Sequence, residues 1–497
     1  MDPHQHPPSR APAGAAPGPG EIRRIILGVM LAMLLGALDQ TIVATALPSI
    51  GAAFGDFANL AWVVTAYLIA CTVVTPLYGK LSDIHGRRVM LLTAVAVFSI
   101  ASVGCALAPS LLALVVARFV QGLGGGGLIS LAQTIIADVV PPRERGRYQA
   151  QVAGVFGAAS IAGPVLGGVL AQHFDWSLIF WINLPLGLAA FLMTQRALRR
   201  LPRHERRHRM DYSGAALMML ASIALLLALG WGGVRYAWSS APILGLLAAA
   251  GALSALFVWR MARAEEPFLP LGLLTDPVVG RGIAAAFAAV GAMVGLSIYV
   301  PLYFETARGL SATGSGLALI PLMGGVVCGA MISGQSMPRM VRYKRPALAG
   351  TGLAALLLLA LAALPAALPL WAVGVLFALV GMGIGTVLPV CTVSIQNAVP
   401  PHRMGTVTGV MTFFRQLGGA LAVAVLGAVL VAAIGADKVM DADALARMAA
   451  APLIGDAFRL VFATVAAMLV ATFAGLLTMP ERPLRGAVHL PAEVPGA

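Results

Sequence analysis

The chain has 497 residues, of which 59% are hydrophobic and only 11% charged, and its mean hydropathy is +0.89; a soluble protein carries about 25% charged residues, so a soluble fold is excluded. The formal net charge of +13 would suggest nucleic acid in a soluble chain. Here the basic residues sit in short loops between apolar runs, so they report membrane orientation and no nucleic-acid partner is expected. Cys71, Cys105, Cys328 and Cys391 each lie inside an apolar run, a spacing that fits neither a disulfide framework nor a metal site. No cofactor is expected.

Residues 1–23, rich in Pro, Ala, Gly and His over their first twenty, lack the apolar core of a signal peptide and read as a disordered cytoplasmic tail. Fourteen apolar spans follow, each near the ~20 residues that a hydrocarbon core requires. Their limits are 24–47, 59–79, 89–108, 111–139, 148–171, 177–198, 213–231, 241–260, 280–303, 313–335, 346–364, 370–396, 406–434 and 456–478. Alternate loops are basic: Arg23 and Arg24; Lys80, Arg87 and Arg88; Arg143, Arg145 and Arg147; 199–209; Arg260 and Arg263; Arg339, Arg342, Lys344 and Arg345; Arg482 and Arg485. The opposite loops carry few cations, and the longest, 435–455, holds Asp437, Asp441 and Asp443. The positive-inside rule then puts both termini in the cytoplasm.

The chain also repeats itself. Gly122, Gly124, Gly126, Ile136, Val140, Pro141, Pro142 and Gly146 recur at a constant offset of 259, with Gly381 answering Gly122 and Asn397 standing for Asp138. Such self-similarity marks a carrier of two parallel halves. The expected architecture is an all-α polytopic membrane protein of two six-helix bundles, 24–198 and 280–479. Between them, 199–279 supplies a cytoplasmic linker and two extra helices that read as a peripheral hairpin, and 480–497 is a cytoplasmic tail.

Three features carry chemistry. The loop Gly79-Lys80-Leu81-Ser82-Asp83-Ile84-His85-Gly86-Arg87-Arg88 reads as a conformational latch, because Asp83 can pair with Arg87 or accept bonds from a neighbouring helix N-terminus. Gly334, Arg339, Arg342 and Arg345 form a faint copy. Only Asp39, Arg118 and Arg415 lie well inside spans; at ~1.5 Å per residue Asp39 and Arg118 share one depth, roughly 20 Å above the cytoplasmic side. An acid that can lose and regain a proton beside a cation is a workable proton carrier, and a static pair that lowers insertion cost is the alternative. Arg415 reads equally as a contact for an anionic substrate group or as a partner of backbone carbonyls. Glu305, at the outer end of its span, reads first as a solvated interfacial acid. Gln40, Gln121, Arg415, Gln416 and Glu305 are the candidates for lining a substrate cavity.

Taken together, these motifs resemble those of the major facilitator superfamily, and more narrowly its fourteen-helix drug:proton antiporter branch. The loop from Gly79 to Arg88 matches that superfamily's cytoplasmic signature, with Ile84 where a basic residue is common. Leu38 to Pro48 resembles the branch's first-helix motif, Arg118-Phe119-Val120-Gln121-Gly122 its fourth-helix proton-coupling motif, and Trp181 to Gly187 a further branch motif. Gly154, Gly163, Pro164, Gly167 and Gly168 resemble the fifth-helix antiporter motif. Small residues let a neighbouring helix approach and Pro164 can bend the span, so the resemblance implies an alternating-access interface where packing alone implies only closeness.

The implied function is proton-coupled export of hydrophobic or amphiphilic small molecules, multidrug efflux, by a monomer in the plasma membrane. The alternative is a transporter of one specific metabolite, a uniporter or proton symporter. Relatives that export cationic drugs tend to carry further acids in the second half, where this chain offers Glu305 alone. The histidines lie in tails, loops and span ends, which disfavours an enzyme, and no GxxxxGK[ST] run occurs to couple ATP. A receptor would not need the repeat.

Overall fold

The structure, a computed structural model, describes residues 19–57, 59–200, 210–363, 368–434 and 454–484. The expectations for the first eighteen residues, for linker residues 201–209, for Asp437, Asp441 and Asp443, and for Arg485 lie outside the described residues. Among the described residues, fourteen helices are long and apolar enough to cross a membrane. They are α1 (Gly20–Phe54), α2 (Trp62–His85), α3 (Arg87–Ala106), α4 (Leu111–Val139), α5 (Pro142–Ala171), α6 (Leu178–Ala197) and α7 (Tyr212–Trp231). The remainder are α8 (Ala241–Arg263), α9 (Pro277–Thr306), α10 (Gly314–Ser336), α11 (Arg345–Ala363), α12 (Leu370–Ala398), α13 (Pro401–Ile434) and α14 (Ile454–Thr478). A helix satisfies its own backbone groups without water, which a lipid-exposed span must do.

Local chemistry sets the ends. The Ser110 hydroxyl accepts from the Ala113 amide at 3.2 Å and so caps α4, and the Asp276 carboxylate accepts from Val278 and Val279 at the start of α9; each satisfies an orphan donor of a first turn. Gly86, at φ 90°, makes the turn between α2 and α3, a conformation that only glycine adopts without strain. The fifth span begins six residues earlier than the apolar pattern predicts, because Pro142 already occupies its first turn, where a missing N–H costs nothing. The first span runs on to Phe54 with Pro48 inside the helix.

Helix contacts repeat between the halves. In the first half α2 and α3 pack on α4, α1 on α5, and α1 and α3 on α6. In the second half α10 and α11 pack on α12, α9 on α13, and α9 and α11 on α14. The halves meet through α2 with α13 and through α10 with α5, a pair of seams related by the same correspondence.

The two extra helices form the expected hairpin, and α8 packs on α7. Yet α7 lies on one of the seams, touching both α2 and α13. Leu226 packs there with Ile69, Val73 and Leu417, and Trp231 meets Trp62 edge to face at 5.6 Å. Asp211 caps α7 and pairs with Arg260 of α8 at 2.8 Å. Burial opposes its charge, but the bonds from Arg260, the Gly214 amide and Ser213 outweigh it and hold the Asp211 carboxyl below the usual carboxylate range.

Candidate functional site

Close helix approach comes first, because it puts charges together. A side-chain carbon at Gly122 would stand 2.5 Å from the Tyr67 carbonyl, and one at Gly124 2.5 Å from the Phe98 amide. The glycine string therefore lets α4 lie directly on α2 and α3. That packing carries Arg118 to the centre of the first half. Its Nη1 donates to Asp39 Oδ2 at 2.6 Å and to Gln121 Oε1 at 2.6 Å, and its Nε donates to the Val63 carbonyl at 3.1 Å. The guanidinium also lies over the Tyr67 ring, 4.2 Å from its centre. Asp39 Oδ1 accepts from Gln121 Nε2 at 2.9 Å and from Asn183 Nδ2 at 3.0 Å. Ser102 accepts from both amides. Asp39 is 0% exposed and Arg118 1%, so the two that share a depth in the sequence form one ion pair sealed from water.

Gln121 needs correction as a cavity residue. It is fully buried, its carbonyl is taken by Arg118 and its amide by Asp39 and Ser102. Ser102, Tyr67 and Asn183 were not singled out as site residues from the sequence. Asn183 lies inside the Trp181-to-Gly187 motif, a lone amide in an apolar run, and it stands where α6 breaks between Trp181 and Asn183.

At the basic-loop end, Asp83 makes both expected contacts at once. Arg87 Nη1 donates to its Oδ1 at 2.5 Å. The Gly405 amide donates to Oδ1 at 3.0 Å, while the Thr406 amide and hydroxyl donate to Oδ2 at 2.7 Å each. The acceptor lies in the first half and the helix N-terminus in the second. Arg87 Nε reaches Asp138 at the end of α4 at 2.8 Å, which brings Asp138 into the same hydrogen-bond network. Arg88 does not join it: its buried Nε has no hydrogen-bond partner. Gly79 is required where it stands, since a carbon there would meet Gly405 and lie 3.2 Å from Gly409.

The other seam shares the backbone geometry without the acid. Gly334 packs against Gly146 as Gly79 packs against Gly405. Pro338 occupies the place of Asp83, and Arg143 Nε donates to its carbonyl at 2.9 Å. Of the faint copy read from the sequence, Gly334 is the member this contact uses.

On α5, Gly163 and Gly167 permit close contact with α1: a carbon at Gly163 would lie 2.6 Å from Thr41 Cβ, and one at Gly167 2.5 Å from the Ile42 carbonyl. Gly154 and Gly168 have nothing within 4 Å, so close packing does not explain them. Pro164 lies inside a helix that continues through it, Pro142–His173.

Arg415 is buried on α13, and its Nη2 donates to the Thr392 hydroxyl at 2.6 Å rather than to a backbone carbonyl. Gln40 and Gln416 are half-buried, and Glu305 is exposed in the last turn of α9. Phe377, which the repeat sets against Arg118, is fully buried in an aromatic cluster, 6.1 Å from Phe304 and 5.9 Å from Phe462.

The Major Facilitator Superfamily profile matches residues 29–423. An uncharacterized MFS-type transporter of Mycobacterium tuberculosis (strain ATCC 25618 / H37Rv) is 36% identical over 429 residues, 85% of this chain and 62% of that relative's length. Multidrug transporter protein MdtP of Bacillus subtilis (strain 168) is 32% identical over 407 residues, 82% of this chain and 75% of the relative. Among solved structures, the MFS proton:xylose symporter XylE bound to 6-bromo-6-deoxy-D-glucose superposes with a TM-score of 0.62 at 17% identity, covering 94% of this chain and 98% of that one. Alternating basic loops, a two-half repeat with matching seams and this profile across the chain agree: it belongs to the Major Facilitator Superfamily.

Proposed function

We propose that this chain is a proton-coupled exporter of hydrophobic or amphiphilic small molecules, a multidrug antiporter working by alternating access. It acts as a monomer in the plasma membrane with both termini cytoplasmic. The observation that carries the reading is the buried Asp39–Arg118 pair, 2.6 Å apart with neither partner more than 1% exposed. Intramembrane ionisable groups mark ion pathways. Protonating Asp39 removes its charge and with it most of its attraction to Arg118. A buried cation that loses its partner costs about 3–5 kcal/mol, so α1 and α4 gain a reason to rearrange when the proton arrives. The latch supports the same reading, because Asp83 joins the halves at one end only, as a gate must.

Gradient-driven substrate accumulation in inverted vesicles tests this. Asp39→Asn keeps the side-chain shape but cannot cycle between charge states, so it abolishes accumulation while substrate binding survives. Full gradient-driven transport by a well-expressed Asp39→Asn protein would refute the assignment.

A further inference from the structure

Arg415 is the charge that the proton mechanism leaves without a task. It sits on α13, ~16 Å past Met404 at 1.5 Å per residue, and is 8% exposed. Its one hydrogen bond goes to Thr392, whose own proton is committed to the Leu388 carbonyl at 2.7 Å. The buried Nε has no partner. Among the described residues Arg415 is in no ion pair, and the carboxylates from α9 onward, Asp276, Glu305, Asp456 and Glu481, all stand at helix ends or beyond them. Arg118 shows what a resident partner looks like: a carboxylate, a carbonyl and a ring surround it. A guanidinium buried in the membrane without a counter-charge is costly unless an anion reaches it.

Its place in the fold says where that anion comes from. Gln396 Nε2 donates to Thr408 at 3.3 Å and reaches the Gln133 carbonyl of the first half at 3.5 Å, a rung where the halves are closed on each other. Thr392 and Arg415 form a further rung on the same two helices, one turn farther from the basic loops on α12 and about two turns farther on α13. Gln416 beside it carries an unused buried carbonyl oxygen. Gln416 also stands within hydrogen-bond reach of Cys71 on α2, so these polar side chains lie beside the boundary between the halves.

We propose that Arg415, aimed by Thr392, binds the anionic group of the substrate, so that the carrier takes organic oxyanions, a carboxylate or sulfonate on a hydrophobic body, ahead of cations. A planar fork with unspent N–H groups suits such an oxyanion, which accepts two parallel bonds from it. This inference rests on the export reading above and narrows its substrate class.

Proteoliposomes of the full chain under an imposed pH difference would be given three impermeant or slowly permeant probes sharing one aromatic body: 1-naphthalenesulfonate, neutral 1-naphthyl glucoside and 1-naphthyltrimethylammonium. The sulfonate should move at least tenfold faster than the ammonium. Arg415→Gln should cut sulfonate transport tenfold or more and leave the neutral glucoside within twofold, and Arg415→Lys should restore part of the loss. The sulfonate should also raise the Tm of the wild-type protein in detergent, but not that of Arg415→Gln. Should Arg415→Gln fail to fold, Thr392→Val is the second variant, expected to slow the sulfonate alone by threefold or more. Faster transport of the ammonium, or an equal loss for all probes in the variants, would overturn the inference and leave export standing. Failure of all three probes to respond to the gradient would remove the export reading and this inference with it.

Discussion

Replacing Asp83 by Asn removes the charge that joins the two halves. In the wild-type protein one oxygen accepts from Arg87 and the Gly405 amide, and the other from the Thr406 amide and hydroxyl. Asn keeps one neutral acceptor and turns the other oxygen into an NH₂ group facing donors. Hydrogen bonds to a charged group contribute about 1.5–3 kcal/mol each, so losing two weakens the closed arrangement by about 3–6 kcal/mol. Each 1.4 kcal/mol is a factor of about ten, so the closed-to-open ratio should fall at least a hundredfold, order of magnitude. Spin labels at His85→Cys and Arg403→Cys, both exposed positions flanking this seam, read the change in a background without native cysteines. The distance distribution should broaden toward longer values and turnover should drop, with expression near normal because little apolar surface changes. An unchanged distribution with full turnover would reduce the loop to an ordinary turn.

Other outcomes follow from the same geometry. An impermeant maleimide on intact cells should label Asp175→Cys and spare His85→Cys; the reverse pattern would invert the topology. Gly146→Val would bring side-chain atoms against Met337 Sδ and the Gly334 carbonyl, where even a first carbon lies 2.7 and 2.8 Å away, so vesicle transport should fall while Gly154→Ala, with open space around it, remains near wild type. Asp211→Asn should lower the Tm in detergent at neutral pH by about 1–3 °C, since a charge-assisted bond contributes about 1.5–3 kcal/mol and 1 kcal/mol shifts the Tm of a chain of 497 residues by about 1 °C. Because the folded Asp211 pKa is lowered, its contribution is present above the unfolded value of about 3.9 and is lost as pH falls through the lower folded value; a gap to wild type that persists below that range would show that the charge is not the cause.

The spans were legible because bilayer thickness writes itself as runs of apolar residues, and the repeat because Val140-Pro141-Pro142 and Gly146 hold register with Val399, Pro400, Pro401 and Gly405. Asp39 and Arg118 were legible as a pair because helical rise converts sequence position into depth. Their surroundings were not: Ser102 and Asn183 come from other helices, and no periodicity links them to residue 39. Depth alone also cannot say which way a side chain faces, which is why Gln121 read as a cavity residue and belongs to the ion-pair network. The glycines of α5 show the same limit. Helical spacing groups Gly154 and Gly168 with Gly163 and Gly167, but only the last two meet α1. The hairpin was legible as an addition, whereas its position on a seam depends on contacts such as Trp62 with Trp231.

The two halves share a backbone plan and divide the chemistry unequally. Glycine pairs, Gly79 with Gly405 and Gly146 with Gly334, hold both seams at backbone distance, so either seam can close in the same way. Charge distinguishes them. One seam is held by a carboxylate taking three donors from the opposite half, and at the other Arg143 donates to the Pro338 carbonyl. The cores differ likewise, with an ion pair at Arg118 and an aromatic cluster at Phe377. Both charged devices of the first half are fastened to one rod: α4 carries Arg118 near its start and Asp138, which holds Arg87, at its end. The twenty residues between them span ~30 Å at 1.5 Å per residue, with no break in the helix. A shift of α4 on protonation of Asp39 would therefore be felt at Arg87 and, through Asp83, at the second half. The second half needs no charge of its own for that step, so Arg415 stays available for the substrate role proposed above.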